Sequence, residues 1–411
     1  MIEWLYQNYK IIAGIFVPII VATIGLFKLA PSIKKKFSIK GNKSTQLQAG
    51  RDLNNSDSFN QGTLSAAPHS TQTLVQGGQL TINGVTDMKT IEVMACGFIA
   101  TMYPHTEMAL NRLRLNGMKF LALLNNELKD LPKEKLEKFS EPDVQIALRN
   151  AIKAASKRNS SDVHKTLAKL LSDRVQDSNQ SIVELTLDES IEAVAKLDSN
   201  LIKILSLSFI ISRTKYMNLP DRDVLFKKLS LIFDSFKEIT VSAARFEYLE
   251  SISCGKSLQI RSGDLMPILS KNYAHLFIKD IPIEQVESLA LPDEIKLLCF
   301  SKNEHNHFKF NPVMGLHLFD DQPIFINGNI PFILDNPMKT RLKEIFLKNK
   351  LSEEEIKLLL CEKIYDFNRM IDLWSNGGFA QFSLTAVGIV IGGAYLEQIG
   401  FDNYDINVWI N

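Results

Sequence analysis

The stretch EMALNRLRLNGMKFLALLNNELKDL, residues 107–131, places apolar residues three to four positions apart along its length. This is the spacing of an amphipathic α-helix with one face toward a core. The preceding stretch MKTIEVMACGFIATM, residues 88–102, has the same spacing, and helical patterns continue to about residue 246. Short loops between successive helices indicate a helical bundle or stacked helix pairs. The fold class is therefore predicted to be mainly α.

Polar residues mark the predicted starts of the later helices. Ser140 stands before an acidic, proline-containing turn and is the predicted N-cap of the next helix. Asp188 and Asp198 precede further periodic apolar runs and predict two more starts. Charged pairs on these helices, such as Asp173 and Arg174, are interpreted as solvated surface.

After residue 255 the sequence becomes richer in Phe, Pro, Asn and Gly. The segments HFKFNPV, QPIFINGNIPFIL and YDINVWI predict short strands between turns. Helices are predicted over residues 282–290, 337–348 and 352–374, and Ser352 with Glu355 forms a predicted capping box at the start of the last one. These elements indicate a smaller C-terminal α+β domain.

The apolar run at residues 386–396 is too short to span a bilayer and predicts a buried core element. Gly392 and Gly393 would let a neighbouring backbone approach closely. A re-entrant or pore-forming element is the alternative. The predicted organisation has four parts: a transmembrane helix with its flanks (1–31), a basic segment with a β-repeat tract (32–87), a helical domain (88–255) and the α+β domain (256–411).

A membrane helix is predicted near the N-terminus. The run IIAGIFVPIIVATIGLF, residues 11–27, contains no charge, and its flanks extend it toward the thickness of a hydrocarbon core of about 30 Å. An acidic start at Glu3 and the lack of a small-residue cleavage site disfavour a signal peptide. The lysines after the helix predict an outer N-terminus and a cytoplasmic body. The predicted anchor residues are Trp4, Tyr9, Ile11, Phe27, Lys34, Lys35 and Lys36.

Residues 41–87 are rich in small polar residues and contain a degenerate repeat. Both copies alternate polar and apolar residues toward a glycine, which predicts short strands with turns. Strands this short cannot bury a face alone, so pairing between copies of the chain is predicted, with a flexible linker as the alternative. The predicted oligomerisation residues are Gln48, Ala49, Gly50, Arg51, Asp52, Gln76 and Gly77.

The same tract carries a resemblance. Gly41-Asn42-Lys43-Ser44, followed by Gln48-Ala49-Gly50-Arg51-Asp52-Leu53, resembles the Q-A-G-R-D-type tracts of many uncharacterised bacterial proteins. Some of those proteins are membrane-anchored, and similar architectures are loosely associated with defence against phage. The resemblance implies a bacterial protein, and with the predicted helix this places it at the bacterial inner membrane. The resemblance assigns no activity and does not extend beyond residue 87.

Composition narrows the classes of function. The formal net charge is +1, and no basic stretch is interleaved with aromatic residues, so a nucleic-acid partner is not predicted. The 4 cysteines are far apart and form no C-x-x-C pair, so they are interpreted as buried thiols of a reducing compartment. No cofactor motif is present in the sequence, and none is predicted.

His305 and His307 are the weak candidates for a metal site. On a strand, both rings would lie on one face, but Glu304 would then point to the other face and could not join them. Histidines among polar neighbours are more often surface residues, so no metal site is predicted.

These observations favour a non-enzymatic, membrane-anchored sensor or effector over an enzyme. We expect membrane lipid and further copies of the chain as partners, a phage or host protein as trigger, and membrane perturbation or partner recruitment as output. A hydrolase or nuclease with a dispersed active site is the alternative, as is a membrane-attached scaffold.

Overall fold

The computed structural model describes residues 73–76, 79–82, 87–102, 106–177, 182–217, 219–258, 263–303, 307–312, 314, 324–326, 330–332 and 336–410. The predicted membrane helix, the lysines after it and the first repeat copy lie outside the described residues. The prediction of a mainly α chain is confirmed for the described part, in which short strands form small sheets between the helices.

The elements are numbered in chain order. The α-helices are α1 Met88–Ala100, α2 Glu107–Leu128, α3 Lys133–Leu136, α4 Pro142–Lys157, α5 Ser161–Gln176, α6 Ile182–Val194, α7 Ser199–Ser212, α8 Arg222–Ser235, α9 Ala243–Ser251, α10 Leu265–Asn272, α11 Ile283–Glu287, α12 Asp293–Cys299, α13 Asn336–Lys348, α14 Glu353–Lys363, α15 Phe367–Gly377, α16 Ala386–Gln398 and α17 Asn407–Ile410. The strands are β1 Thr73–Gln76, β2 Gln79–Ile82, β3 Gly255–Ser257, β4 Ile281–Pro282, β5 Phe300–Lys302, β6 His307–Phe310, β7 Ile324–Ile326, β8 Ile330–Phe332 and β9 Phe382–Leu384.

Helix α2 forms where its apolar period predicts it. The Thr106 side chain caps it by accepting the backbone N–H of Ala109 at 3.2 Å. Its inner face buries Phe120, Leu124 and Leu128 against α4 and α5. The helix therefore follows from the sequence pattern and is held in place by apolar burial.

The predicted helix starts have different outcomes. Asp198 is the N-cap of α7, and its carboxylate accepts the N–H of Leu201 at 2.7 Å, as predicted. Ser140 is not an N-cap, because it ends a short 3₁₀ helix and Glu141 takes that position. Asp188 is not a helix start either, since it lies in the middle of α6.

The larger hydrophobic core surrounds α16, which packs against α5, α6 and α7. A Cβ atom on Gly392 would lie 3.0 Å from the carbonyl oxygen of Leu205, and one on Gly388 only 1.9 Å from that of Cys254. Small residues thus let α16 touch neighbouring backbone. The prediction that residues 386–396 form a buried core element is confirmed.

A second hydrophobic core lies among the elements between β4 and α13. It includes Ile281, Phe300 and Phe310 from a three-stranded antiparallel sheet of order β4-β6-β5, together with Leu342 and Phe346 of α13. The last helices, α14 to α16, return to the larger core. The predicted division of the chain at residue 255 stays a prediction.

Three further antiparallel pairs complete the described strands. In the hairpin β1–β2, Thr73 pairs with Ile82 and Gln76 with Gln79. Strand β3 pairs with β9, and β7 pairs with β8. The strands predicted within HFKFNPV and QPIFINGNIPFIL are therefore confirmed.

Two C-terminal predictions are wrong. The single helix predicted over residues 352–374 is two helices, α14 and α15, because Asp366 adopts a left-handed backbone with φ of 57° between them. The capping box of Ser352 and Glu355 is confirmed. The segment YDINVWI contains the short helix α17 instead of a strand, and it packs against the bundle through Trp409.

Candidate functional site

Most predicted anchor and oligomerisation residues lie outside the described part of the chain. These are Trp4, Tyr9, Ile11, Phe27, Lys34, Lys35, Lys36, Gln48, Ala49, Gly50, Arg51, Asp52 and Gly77. Gln76 is described and ends β1. Among the described helices, none is both long enough and apolar enough to cross a bilayer.

The structure describes one of the two candidate metal ligands. His305 lies outside the described residues, whereas His307 begins β6 opposite Pro282. The backbone N–H of His307 donates to the side chain of Asn303 at 2.9 Å. Within the described residues, no three His, Cys, Asp or Glu side chains converge as metal ligands would.

Arg174 of α5 is almost completely buried and contacts three carboxylates. Its guanidinium donates to Asp188 at 2.9 Å and to Asp143 at 2.5 Å, and it also contacts Glu184. The Arg174 side chain is 2% exposed. We call these four residues the Arg174 cluster. The interpretation of Arg174 as solvated surface is wrong, because the guanidinium joins α4, α5 and α6.

The carboxylates of the Arg174 cluster respond differently to their surroundings. Burial opposes ionisation of Asp143, but hydrogen bonds from Arg174 and the backbone outweigh it and lower the pKa. Burial raises the pKa of Glu184 and of Asp188, and the neighbouring acids add to this effect. Three acids around one guanidinium therefore leave excess negative charge at this point of the bundle.

A second buried ionic cluster lies on another side of α5. Lys169 contacts Asp173 at 2.7 Å and Glu397 of α16 at 2.8 Å. Glu397 also accepts the backbone N–H of Tyr404 at 2.8 Å, so it holds the chain that follows α16. The interpretation of Asp173 as solvated surface is wrong too, because its side chain is only 14% exposed. We call Lys169, Asp173 and Glu397 the Lys169 cluster.

Asp173 has a perturbed acidity. Burial raises its pKa to about 6, although Lys169 acts in the opposite direction. For Lys169, the Asp173 and Glu397 carboxylates outweigh burial and raise the pKa to about 12. The carboxylates line a cavity of about 10 Å³ beneath Tyr404 and Trp409, near the volume of one water molecule. This space is too small for an organic ligand.

Sequence periodicity could not have identified the Arg174 cluster, because its acids come from other helices, or the part that Glu397 takes in the Lys169 cluster. Two sequence signals were available. Lys169 and Asp173 are four residues apart on α5, which is the spacing of a helical ion pair. Arg174 lies three residues after Leu171, which places it on the buried apolar face of α5.

A groove of about 380 Å³ lies where the larger core meets the second one, and its volume is within the range of ligand sites. The start of α8, the segment before β4, helix α12 and strands β5 and β6 surround it. We call it the open groove. It is lined by Pro220, Asp221, Arg222, Asp223, His275, Leu276, Ile278, Lys279, Asp280, Leu297, Leu298, Phe300, Ser301, Lys309, Phe310, Asn311 and Pro312.

The polar walls of the open groove are held by the fold. Asp221 caps α8 by accepting the N–H of Val224 at 2.9 Å, and Asp280 accepts a side-chain hydrogen bond from Asn303 at 2.7 Å. Lys279 contacts Glu355 at 2.7 Å, and this hydrogen bond lowers the pKa of Glu355. The carboxylates of Asp221 and Asp280 and the ammonium of Lys279 are therefore held in place before a ligand binds.

Other side chains of the open groove are available to a ligand. Arg222 and Lys309 form no salt bridge within the described residues, and Leu297 is 80% exposed at the rim. His275, in contrast, is only 6% exposed. The groove thus offers cations, carboxylates and apolar surface together, which suits a small ligand with a charged group and an apolar part.

The buried cysteines are unsuited to nucleophilic catalysis. All 4 are free thiols, as predicted. Burial raises the pKa of Cys254 and of Cys299 to about 12, and that of Cys96 to about 11. A reactive cysteine needs a lowered pKa, so these three thiols are structural. The interpretation of Cys96 and Cys361 as buried thiols is wrong, because both are only partly buried.

Comparison with known proteins gives the extent of the domain. The searches of curated proteins and of solved structures found no match. A protein-family model described as “:-like” matches residues 85–410, which is more than half of the chain and takes in both hydrophobic cores. The description states no activity. The chain belongs to this “:-like” family.

Proposed function

We propose that the chain is a membrane-tethered, oligomeric sensor or effector without catalytic activity, and that the open groove receives the small ligand it senses. The groove supports the proposal, since it is large enough for a ligand and combines charged with apolar walls. The groove lies where two hydrophobic cores meet, so a ligand bound there can change the packing of both cores.

The tether and the oligomer rest on the sequence. The uncharged run at residues 11–27 and the lysines after it support a single membrane helix with a cytoplasmic body. The polar repeat supports pairing between chains, and the hairpin β1–β2 supplies strands of the required kind. The resemblance of residues 41–53 to bacterial tracts associated with phage defence supports a role in that process.

A phage-challenge experiment tests the role of the open groove. We expect bacteria that produce the full chain to resist phage, and Arg222→Glu with Lys309→Glu to abolish resistance at unchanged protein level. The matched control is Lys227→Glu with Lys237→Glu, which reverses two exposed lysines outside the groove. Full resistance in the groove variant, or loss in the control as well, would contradict the proposed role of the groove.

The oligomer needs a separate measurement. The full chain in detergent should have a mass several times that of one chain by light scattering. Deletion of residues 41–86, which keeps the N-cap Asp87 of α1, should leave the helical far-ultraviolet spectrum unchanged and reduce the mass to that of the monomer. A monomeric full chain would contradict the oligomer while leaving the proposed ligand site to be judged by the phage assay.

A further inference from the structure

One face of α2 has an unusual surface. Met108, Leu115 and Met118 are 65%, 63% and 46% exposed, respectively. At 3.6 residues per turn they fall within an arc of about 80° on the helix. Exposed apolar residues are ordinary when scattered, but three large ones on one helix face form an apolar strip, in which Asn111 is the polar interruption.

Cations flank this apolar strip. Arg112 is exposed and Arg114 half-buried, and Lys119 is exposed with its ammonium 2.8 Å from the side chain of Asn159. Arg112 and Lys119 lie on one side of the strip and Arg114 on the other. Over residues 107–122 the helix carries these cations and a single carboxylate, Glu107.

We propose that this face of α2 docks on an anionic lipid surface. The face is defined by Met108, Arg112, Arg114, Leu115, Met118 and Lys119. An apolar strip with basic flanks is the pattern by which helices lie in the headgroup layer, where side chains enter the acyl boundary and cations meet lipid phosphates and carboxylates.

The opposite face of α2 is fixed in the protein. Phe120, Leu124 and Leu128 are at most 1% exposed and pack in the larger core. The helix therefore needs no refolding to dock, since the apolar side chains already point outward. The inference rests on the proposed tether, which would keep the body near a bilayer whose cytoplasmic leaflet is negatively charged.

The test uses the full chain in vesicles of phosphatidylcholine alone or with about a third of an anionic lipid, phosphatidylglycerol. An environment-sensitive fluorophore is attached to Leu115→Cys. The matched control is Leu358→Cys on α14, another leucine that is 71% exposed. Wild-type chain treated with the fluorophore gives the contribution of the native cysteines.

We expect the label at position 115 to shift its emission to the blue, and to be quenched by doxyl-labelled lipid, only on the anionic vesicles. The label at position 358 should stay in water on both. Reversing the charges in Arg112→Glu, Arg114→Glu and Lys119→Glu should remove the shift. Equal emission on the two kinds of vesicle would overturn the inference.

The same samples distinguish a failure of α2 docking from a failure of the proposed membrane tether. A label shielded already in detergent would show that another part of the protein covers the face, and would also overturn the inference. A chain that does not float with neutral vesicles contradicts the tether. A chain that floats while its label at position 115 stays in water contradicts only the docking of α2.

Discussion

Replacement of Arg174 by methionine removes the one cation of the Arg174 cluster and keeps a long unbranched side chain. The exposed fractions of the acidic side chains are 48% for Asp143, 18% for Glu184 and 35% for Asp188. Removing one partner of a buried ion pair costs about 3–5 kcal/mol. Because these acids keep part of their hydration, we expect the free energy of unfolding to fall by about 2–3 kcal/mol, below the full cost for a buried pair.

Urea denaturation of the full chain in detergent, followed by circular dichroism at 222 nm, measures this loss. Arg213→Met is the matched control, because Arg213 is exposed and, among the described residues, its side chain donates only to the Ser383 hydroxyl, at 3.2 Å. It should change the free energy of unfolding by less than about 0.5 kcal/mol. A loss below about 1 kcal/mol for Arg174→Met would refute the reasoning.

Two further measurements identify charge as the cause. Adding Asp143→Asn, Glu184→Gln and Asp188→Asn to Arg174→Met should recover most of the lost stability, since a neutral cluster leaves no uncompensated charge. In Arg174→Met alone, the acids lack their counter-ion and their folded pKa values rise above the unfolded ones. Ionisation then destabilises the fold, so the deficit should shrink as the pH falls toward about 4. A deficit that is independent of pH would contradict this account.

Three other predictions follow from particular contacts. Gly388→Ala should lower the free energy of unfolding by about 2 kcal/mol or more in urea denaturation, because its Cβ would lie 1.9 Å from a backbone oxygen. Gly393→Ala is the control and should be neutral or slightly stabilising, since the atom nearest to its Cβ would be 3.6 Å away. Because the folded pKa of Asp173 is raised to about 6, ionisation of this carboxyl destabilises the fold, and the loss is regained as the pH falls from about 7 to about 4. The free energy of unfolding of wild type minus that of Asp173→Asn should therefore increase over that range, and a difference independent of pH would contradict the prediction. Mass spectrometry after alkylation at pH 8 should find Cys254 unmodified in the folded chain and Cys361 modified, and equal modification would contradict the thiol environments.

Periodicity predicted the helices well because each apolar stripe is a local property of the chain. The start of α7 at Asp198 and the capping box at Ser352 were predictable for the same reason, since both depend on residues within one turn. Asp188 was misread because an aspartate before an apolar run looks like a cap, whereas its real partner is Arg174 on another helix. That pairing between two helices cannot be predicted from the local sequence.

The C-terminal errors have a similar physical origin. The apolar period of residues 352–374 continues through Asp366, but extended backbone at Ile364 and the positive φ at Asp366 separate α14 from α15. A non-glycine residue with positive φ is uncommon, so no sequence rule would place a break there. In YDINVWI the alternation favours a strand, but the segment lies against Phe209 through Trp409 and has no strand to pair with among the described residues.

The open groove was invisible in the sequence because its walls come from four separate segments, none of which carries a motif. Arg222 begins α8, Lys279 precedes β4, and Lys309 lies in β6, so more than eighty residues separate the first cation from the last. Such a site exists only after the second core has packed against the larger one. If a ligand stabilises that packing, its binding must alter the equilibrium between arrangements of the two cores, which is the coupling that a sensor requires.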